Sequence, residues 1–190
     1  PVLKSFHLCD THRWRVRRYR HFDFRPGLNL LIGPNGTGKS TLLRTLASCA
    51  DCRRVEDGPT EYVFFDAERM NPRHPDAPVR NPTEMKLHVR SMFSSHGEIL
   101  QAVFSTLRLA PGSCLLLDEP EAGQDFDHVL ALRAAMDRAV ARGIQIIAAT
   151  HEVLFWERAH IIELRRNYRH RVTEALCRMR CLQHPEEPAP

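Results

Sequence analysis

Five residues, Leu28-Asn29-Leu30-Leu31-Ile32, run straight into Gly33-Pro34-Asn35-Gly36-Thr37-Gly38-Lys39-Ser40, and beyond Lys39 the apolar positions Leu42, Leu43, Leu46 and Ala47 recur at helical spacing. A nearly continuous apolar run suits a strand covered on both faces. Glycines in the bend that follows permit backbone angles other residues resist. A buried strand turned into a helix through such a bend implies a sheet with helices packed on it. The rest of the chain repeats that alternation. Tyr62-Val63-Phe64-Phe65, Cys114 to Leu117 and Ile144 to Ala149 read as further buried strands, and Asp127 to Ala141 and about Gly97 to Leu109 read as helices. The expected class is α/β: a three-layer core with a parallel central sheet. Period-two alternation in Val2 to Leu8 and in Trp14-Arg15-Val16-Arg17 predicts an N-terminal antiparallel β portion. Pro72, Pro75, Pro78 and Pro82 mark a loop between 66 and 83.

With 190 residues and 43% hydrophobic content the chain supports one sizeable core, read as one domain over 1–184. The Pro- and Glu-rich residues 185–190 read as a disordered tail. No apolar run approaches the roughly 18 residues of a membrane span, and no export signal opens the chain, so a cytoplasmic location is expected, with a membrane partner disfavoured. In that compartment the six cysteines stay reduced. Cys49-x2-Cys52 and Cys177-x3-Cys181 with His184 have spacings that thiolate and imidazole zinc ligation accepts. Neither pair sits in a Gly-rich knuckle, so they read as scattered thiols. The net charge of +4 is carried mostly by arginines grouped at Arg13 to Arg20 and Arg165 to Arg180. These read as solvated faces, with a nucleic-acid or acidic-partner surface as the other reading.

The glycine-rich bend satisfies G-x4-G-K-[ST] between strand and helix, where that motif must lie. Its backbone amides and the start of the helix point positive charge at phosphate oxygens. Lys39 is expected to reach the β- and γ-phosphates and Ser40 to ligate Mg2+. The dinucleotide fingerprint G-x-G-x-x-G is absent there. At the end of another buried run stand Asp118 and Glu119, expected beside the phosphate loop. Asp118 would hold Mg2+ and Glu119 would act as general base on an attacking water. His151, after the strand ending at Ala149 and Thr150, is placed to contact the γ-phosphate.

The phosphate loop GPNGTGKST, the acidic strand LLLDEPEAGQD and the histidine after the next strand resemble the ATP-binding-cassette (ABC) ATPases, especially the small bacterial AAA-type and Rad50/SMC/RecF-like branch, over Leu28 to Leu164. The resemblance implies a P-loop NTPase core that binds ATP with Mg2+ and hydrolyses it. It assigns nucleotide contacts to Gly33, Asn35, Gly36, Thr37, Gly38, Lys39, Ser40 and Thr41. Glu119 and His151 become catalytic, Ser40 and Asp118 metal-binding, and Asp125 looks like the D-loop aspartate. Ser94-Ser95-His96-Gly97-Glu98 looks like the signature motif, in which Ser95 and Gly97 touch the γ-phosphate of a second subunit, implying a homodimer. Glu68 stands where transporter cassettes place a Q-loop glutamine and is read as a further metal contact. The stretch from Lys39 to Ser95 is short, implying a shortened helical subdomain, and no sustained heptads mark a coiled-coil insertion.

The expected activity is thus an ATPase whose nucleotide-driven closure works on a DNA or protein partner in repair or defence. Two alternatives are the energising subunit of a membrane transporter and a small-molecule kinase. A kinase needs neither Glu119 after Asp118 nor a signature motif.

Overall fold

The structure, a computed structural model, describes residues 2–16, 20–66 and 109–183. Its elements are β1 (Leu3–His7), α1 (Asp10–Arg13), β2 (His21–Asp23), β3 (Leu28–Ile32), α2 (Lys39–Ser48), β4 (Arg53–Glu56), β5 (Tyr62–Asp66), β6 (Cys114–Asp118), α3 (Phe126–Ala141), β7 (Gln145–Ala149), a 3-10 turn (Val153–Phe155), β8 (His160–Glu163) and α4 (Tyr168–Gln183). The helix expected near 97–109 and the proline loop beyond Asp66 lie outside the described residues, as do Glu68, Ser95, Gly97 and the tail.

Five parallel strands form the central sheet in the order β5-β6-β7-β3-β8. Because side chains alternate across a strand, one apolar run feeds two cores. Leu30, Ile32, Leu115, Leu117, Ile146 and Ala148 face Val129, Leu132, Ala135 and Met136 of α3. Leu31, Leu116, Ile147 and Ala149 face Leu42, Leu43 and Leu46 of α2 together with Leu3, Phe6 and Phe22. This two-sided burial accounts for the apolar runs and confirms the three-layer α/β class. The second layer is completed by an antiparallel sheet in the order β2-β1-β4.

Buried Gln145 fastens that small sheet to the core. Its Nε2 donates to the carbonyls of Leu3 and Arg25, each at 2.9 Å, and its Oε1 accepts from Leu3 N at 2.9 Å. A core amide with each described bond made contributes specificity as well as stability.

Of the strand expected over Trp14 to Arg17, the described part, Trp14 to Val16, is corrected by the structure. Residues 10–13 turn into a helix whose Arg13 N donates to Cys9 O at 3.0 Å, and Trp14 closes its end. The position beside β1 is taken by β2 through pairs such as Phe6 with Phe22. The alternation in the sequence is met another way, with Val16 buried and Trp14 76% exposed. Strand β4, strand β8 and helix α4 were not foreseen, because their short or charged sequences carry weak periodicity.

Candidate nucleotide site

Parallel register brings three strand ends level. Ala149 pairs with Leu31 on one side and with Asp118 on the other, so the residues after β3, β6 and β7 emerge along one edge. One sequence expectation needs adjusting: β7 stands between β3 and β6, so Asp118 is not on the strand next to the loop. Loops after parallel strands meet at this carboxyl edge, where α/β sheets place their ligands.

Gly38, at φ 96°, is the N-cap of α2, and a Cβ there would stand 2.9 Å from Arg15 O and 3.2 Å from Val16 Cα. Only glycine satisfies both the left-handed backbone and the close approach of that segment. Within the loop, Thr37 Oγ1 donates to Pro34 O at 2.8 Å. Asn35 and Gly36 are exposed at its tip, and Ser40 and Thr41 are half-buried in the first turn of α2.

Lys39 is 5% exposed and turns its Nζ into the loop, donating to Gly33 O at 3.0 Å and meeting His151 Nε2 at 2.9 Å. Burial holds the Lys39 amine below its usual range, against the raising fields of Glu119, Asp118 and Glu121. Burial and then the Lys39 charge hold His151 below its ordinary 6.5. Lys39 Nζ and His151 Nε2 thus face each other at hydrogen-bond distance, with burial disfavouring the charged form of each.

The acids divide by environment. Asp118 is buried, and burial pushes its carboxyl up to about 6; the Ser40 hydroxyl lowers it, nearby Asp66 raises it again and Arg44 lowers it. Arg44 reaches Asp66 Oδ2 at 3.0 Å and Asp118 Oδ2 at 3.5 Å. Asp118 Oδ1 is buried with no hydrogen-bond partner among the described residues. An orphaned carboxylate oxygen near a serine hydroxyl is a hard-oxygen pair of the kind Mg2+ accepts, so Asp118 and Ser40 fit that ion. Glu119 sits at φ 47° with its side chain 44% exposed, 3.7 Å from His151 Nε2. That left-handed backbone takes the residue off the extended line of β6.

Asp125 caps α3, accepting from His128 N at 2.9 Å and His128 Nδ1 at 2.7 Å. It is exposed, and both of these hydrogen bonds stay within the first turn of its own helix. The structure therefore gathers Gly33, Lys39, Ser40, Asp118, Glu119 and His151 and leaves Asp125 at a separate helix start.

Glu121, Thr150, Asp66 and Arg44 were missed. Glu121 Oε1 accepts from Thr150 Oγ1 at 2.8 Å and from His151 N at 2.7 Å, pinning the histidine's backbone. Glu121 is two residues beyond Glu119 in an acid-rich stretch, and nothing in that pattern separates a buried anchor from a solvated acid. Asp66 ends an apolar strand just as Asp118 does, which was a usable signal.

A buried strand, a glycine-rich bend, an inward lysine and an acidic strand end across one sheet edge define a nucleotide-binding P-loop protein. Comparison narrows the class. The AAA-domain family model matches residues 8–59. A cytochrome c biogenesis ATP-binding export protein of Paracoccus denitrificans is 34% identical over 160 residues, covering 73% of this chain and 76% of its own length. Its counterpart in Maricaulis maris is 30% identical over 174 residues, covering 75% of this chain and 81% of its own. An uncharacterized ABC transporter ATP-binding protein of Bacillus subtilis is 31% identical over 78% of this chain and 22% of its own length. The chain belongs to the ABC-type P-loop ATPases: it binds ATP and hydrolyses it. Among the described residues no helix is long and apolar enough to cross a membrane.

Proposed function

We propose that this chain is the ATP-hydrolysing module of a membrane-transport assembly, acting as a dimer that closes on Mg2+ and ATP. The relatives' names favour this over the DNA repair or defence partner and over a metabolite kinase. The observation that carries the chemistry is the meeting of Lys39, His151, Glu119 and Asp118 at one sheet edge.

The loop amides of Gly33 to Ser40, with Thr41 behind them, cradle the phosphates. Lys39 exchanges its bonds to Gly33 O and His151 for phosphate oxygens, where its charge is worth more than against neutral acceptors. Ser40 and Asp118 would hold Mg2+, which when bound would neutralise charge on those oxygens. Glu119, at the exposed side of the pair, accepts the proton of the attacking water. His151, whose backbone N–H is held by Glu121, is positioned to orient the γ-phosphate end. Trp14, exposed with the Arg13 guanidinium 4.8 Å from its ring, lies immediately before the segment that touches Gly38 and offers a stacking face for adenine. Ser95 and Gly97 from a second copy complete the γ-phosphate site.

Sizing the Glu119→Gln chain with ATP and Mg2+ tests the reading. A shift to twice the mass, abolished by Ser95→Arg, is expected. A chain that binds ATP yet stays single in all conditions contradicts the dimer. A tagged Glu119→Gln chain expressed in its native cell is expected to co-purify with integral membrane protein after detergent extraction. Recovery with DNA instead contradicts the transport partner.

A further inference from the structure

Outside the nucleotide site, four soft donors meet at one corner of the antiparallel sheet. Cys9 is the N-cap of α1 and His12 lies in its single turn; Cys49 is the C-cap of α2, and Cys52 immediately precedes β4. Strands β1 and β4 pair antiparallel with His7 opposite Arg53, which carries the two Cys-x2 pairs to the same end of the sheet. Their four ligand atoms all lie within 4.8 Å of one another. His12 Nδ1 is 3.1 Å from Cys9 Sγ and 3.8 Å from Cys52 Sγ, and Cys9 N donates to Cys52 Sγ at 3.3 Å. Cys52 is buried, the other three are half-buried, and none of the three cysteines is in a disulfide.

We propose that Cys9, His12, Cys49 and Cys52 form a closed Cys3His site for one zinc ion. Tetrahedral zinc with bonds of about 2.3 Å to sulfur and about 2.0–2.1 Å to nitrogen separates its ligands by about 3.6–3.8 Å. The observed separations bracket that span, so small side-chain adjustments complete the tetrahedron. Three thiolates and an imidazole select zinc over magnesium or calcium, which take oxygen ligands, so this site and the nucleotide site do not compete for one ion. Four protein ligands leave no open position, which makes the site structural and not catalytic. The amide of Cys9 bonded to the Cys52 sulfur is an outer contact of the kind that orients thiolate ligands.

The place in the fold gives the ion a task. It ties α1 to the C-terminal end of α2 and to the start of β4. The chain leaving α1 runs within three residues to Arg15 and Val16, whose backbone packs on Gly38 of the phosphate loop. Zinc therefore holds in place the segment that backs the loop. Cys49 and Cys52, which the sequence alone read as scattered thiols, thus find partners in Cys9 and His12, while Cys177 is exposed on α4.

The test uses the full chain without a polyhistidine tag, equilibrated with zinc sulfate, desalted and measured by elemental analysis. About one zinc per chain is expected, as for a closed structural site, with loss of that equivalent in Cys52→Ser and in His12→Ala and its retention in Cys177→Ser. Cobalt substitution of the wild-type chain is expected to give the intense visible absorption of a tetrahedral thiolate complex. Where a variant does not fold, alkylation of the wild-type chain with and without a strong chelator replaces it. Zinc is expected to protect Cys9, Cys49 and Cys52 together while Cys177 reacts in both states. A wild-type chain holding no zinc after desalting, variants that keep the full equivalent, loss of zinc in Cys177→Ser, or thiols equally reactive with and without chelator would each overturn the proposal.

Discussion

The carboxyl edge of the parallel sheet and the cysteine corner of the antiparallel sheet both gather polar side chains from distant parts of the chain, but they do so by different means. At the edge, each contribution is a short contiguous motif fixed to a strand end, and parallel register levels those ends, so motif and position arrive together. At the corner, two pairs of residues about 40 positions apart meet only because β1 and β4 pair in one antiparallel register. The first kind of site is visible before the fold is known. The second exists only once the fold is known. The two also differ in donor chemistry: hard oxygens beside a phosphate loop, soft sulfurs beside a helix end.

Substitutions that strike one region and spare the other sharpen this contrast. The largest effect is expected from Glu119→Gln, which removes the base and lowers hydrolysis about 10²- to 10⁴-fold while ATP affinity persists; phosphate release and equilibrium binding, measured together, check it. Zinc content is expected to stay unchanged in that variant. A parallel loss of zinc would show the regions to be one cooperative unit.

Next comes Asp118→Asn. The buried carboxyl of Asp118 titrates near 6 in the folded chain against 3.8 for the ordinary group. A raised folded pKa favours the folded state below the unfolded value, and that contribution is lost as pH climbs through the folded value. Above about pH 6 the ionised acid costs on the order of 2–3 kcal/mol without magnesium, by the equivalence of pKa shift and free energy. Asp118→Asn is therefore expected to stabilise the nucleotide-free chain at pH 8 by roughly that amount, with the gain vanishing toward pH 4 and hydrolysis lost. Denaturant melts across that range check it; a pH-independent difference would count against the buried-charge explanation.

Gly38→Ala probes the join between the regions, because its Cβ would press on Arg15 O, on the segment leading from the corner. The left-handed backbone and the clash together are expected to cost about 1–3 kcal/mol and to lower ATP affinity. Thermal unfolding and ATP titration read both. A variant with native stability and affinity would separate the corner from the loop. The smallest effect is expected from Thr150→Val, which removes the bond to Glu121 Oε1 and the one that Thr150 Oγ1 accepts from Glu152 N at 2.9 Å, and leaves that from His151 N to Glu121. About 0.5–1.5 kcal/mol of stability and a few-fold loss of hydrolysis are expected, measured by denaturant midpoint and steady-state rate.

The legible part of the fold was the part in which one local signal sufficed. Runs such as Leu28 to Ile32 and Cys114 to Asp118 are strands because both their faces are covered, and such runs stand out in any sequence. Residues Trp14 to Val16 misled because alternation reports which side chains are buried, not whether a neighbouring strand is available to pair. Helix α4 escaped because almost all of its described side chains are exposed, so no apolar stripe marks it. In the site, Lys39, Asp118 and His151 stood in recognisable contexts. Glu121 did not, since its role as an anchor depends on Thr150 and His151 folding back over it from another strand.

Isothermal titration of ATP with Mg2+ into the Glu119→Gln chain, beside the same chain carrying Lys39→Ala, tests the central claim most directly. One ATP per chain is predicted for the first, with affinity at least tenfold weaker in the second, because Lys39 is the inward cation of the loop. Absence of heat and of bound nucleotide in the first, or equal uptake by both, would contradict a triphosphate held by the glycine-rich bend.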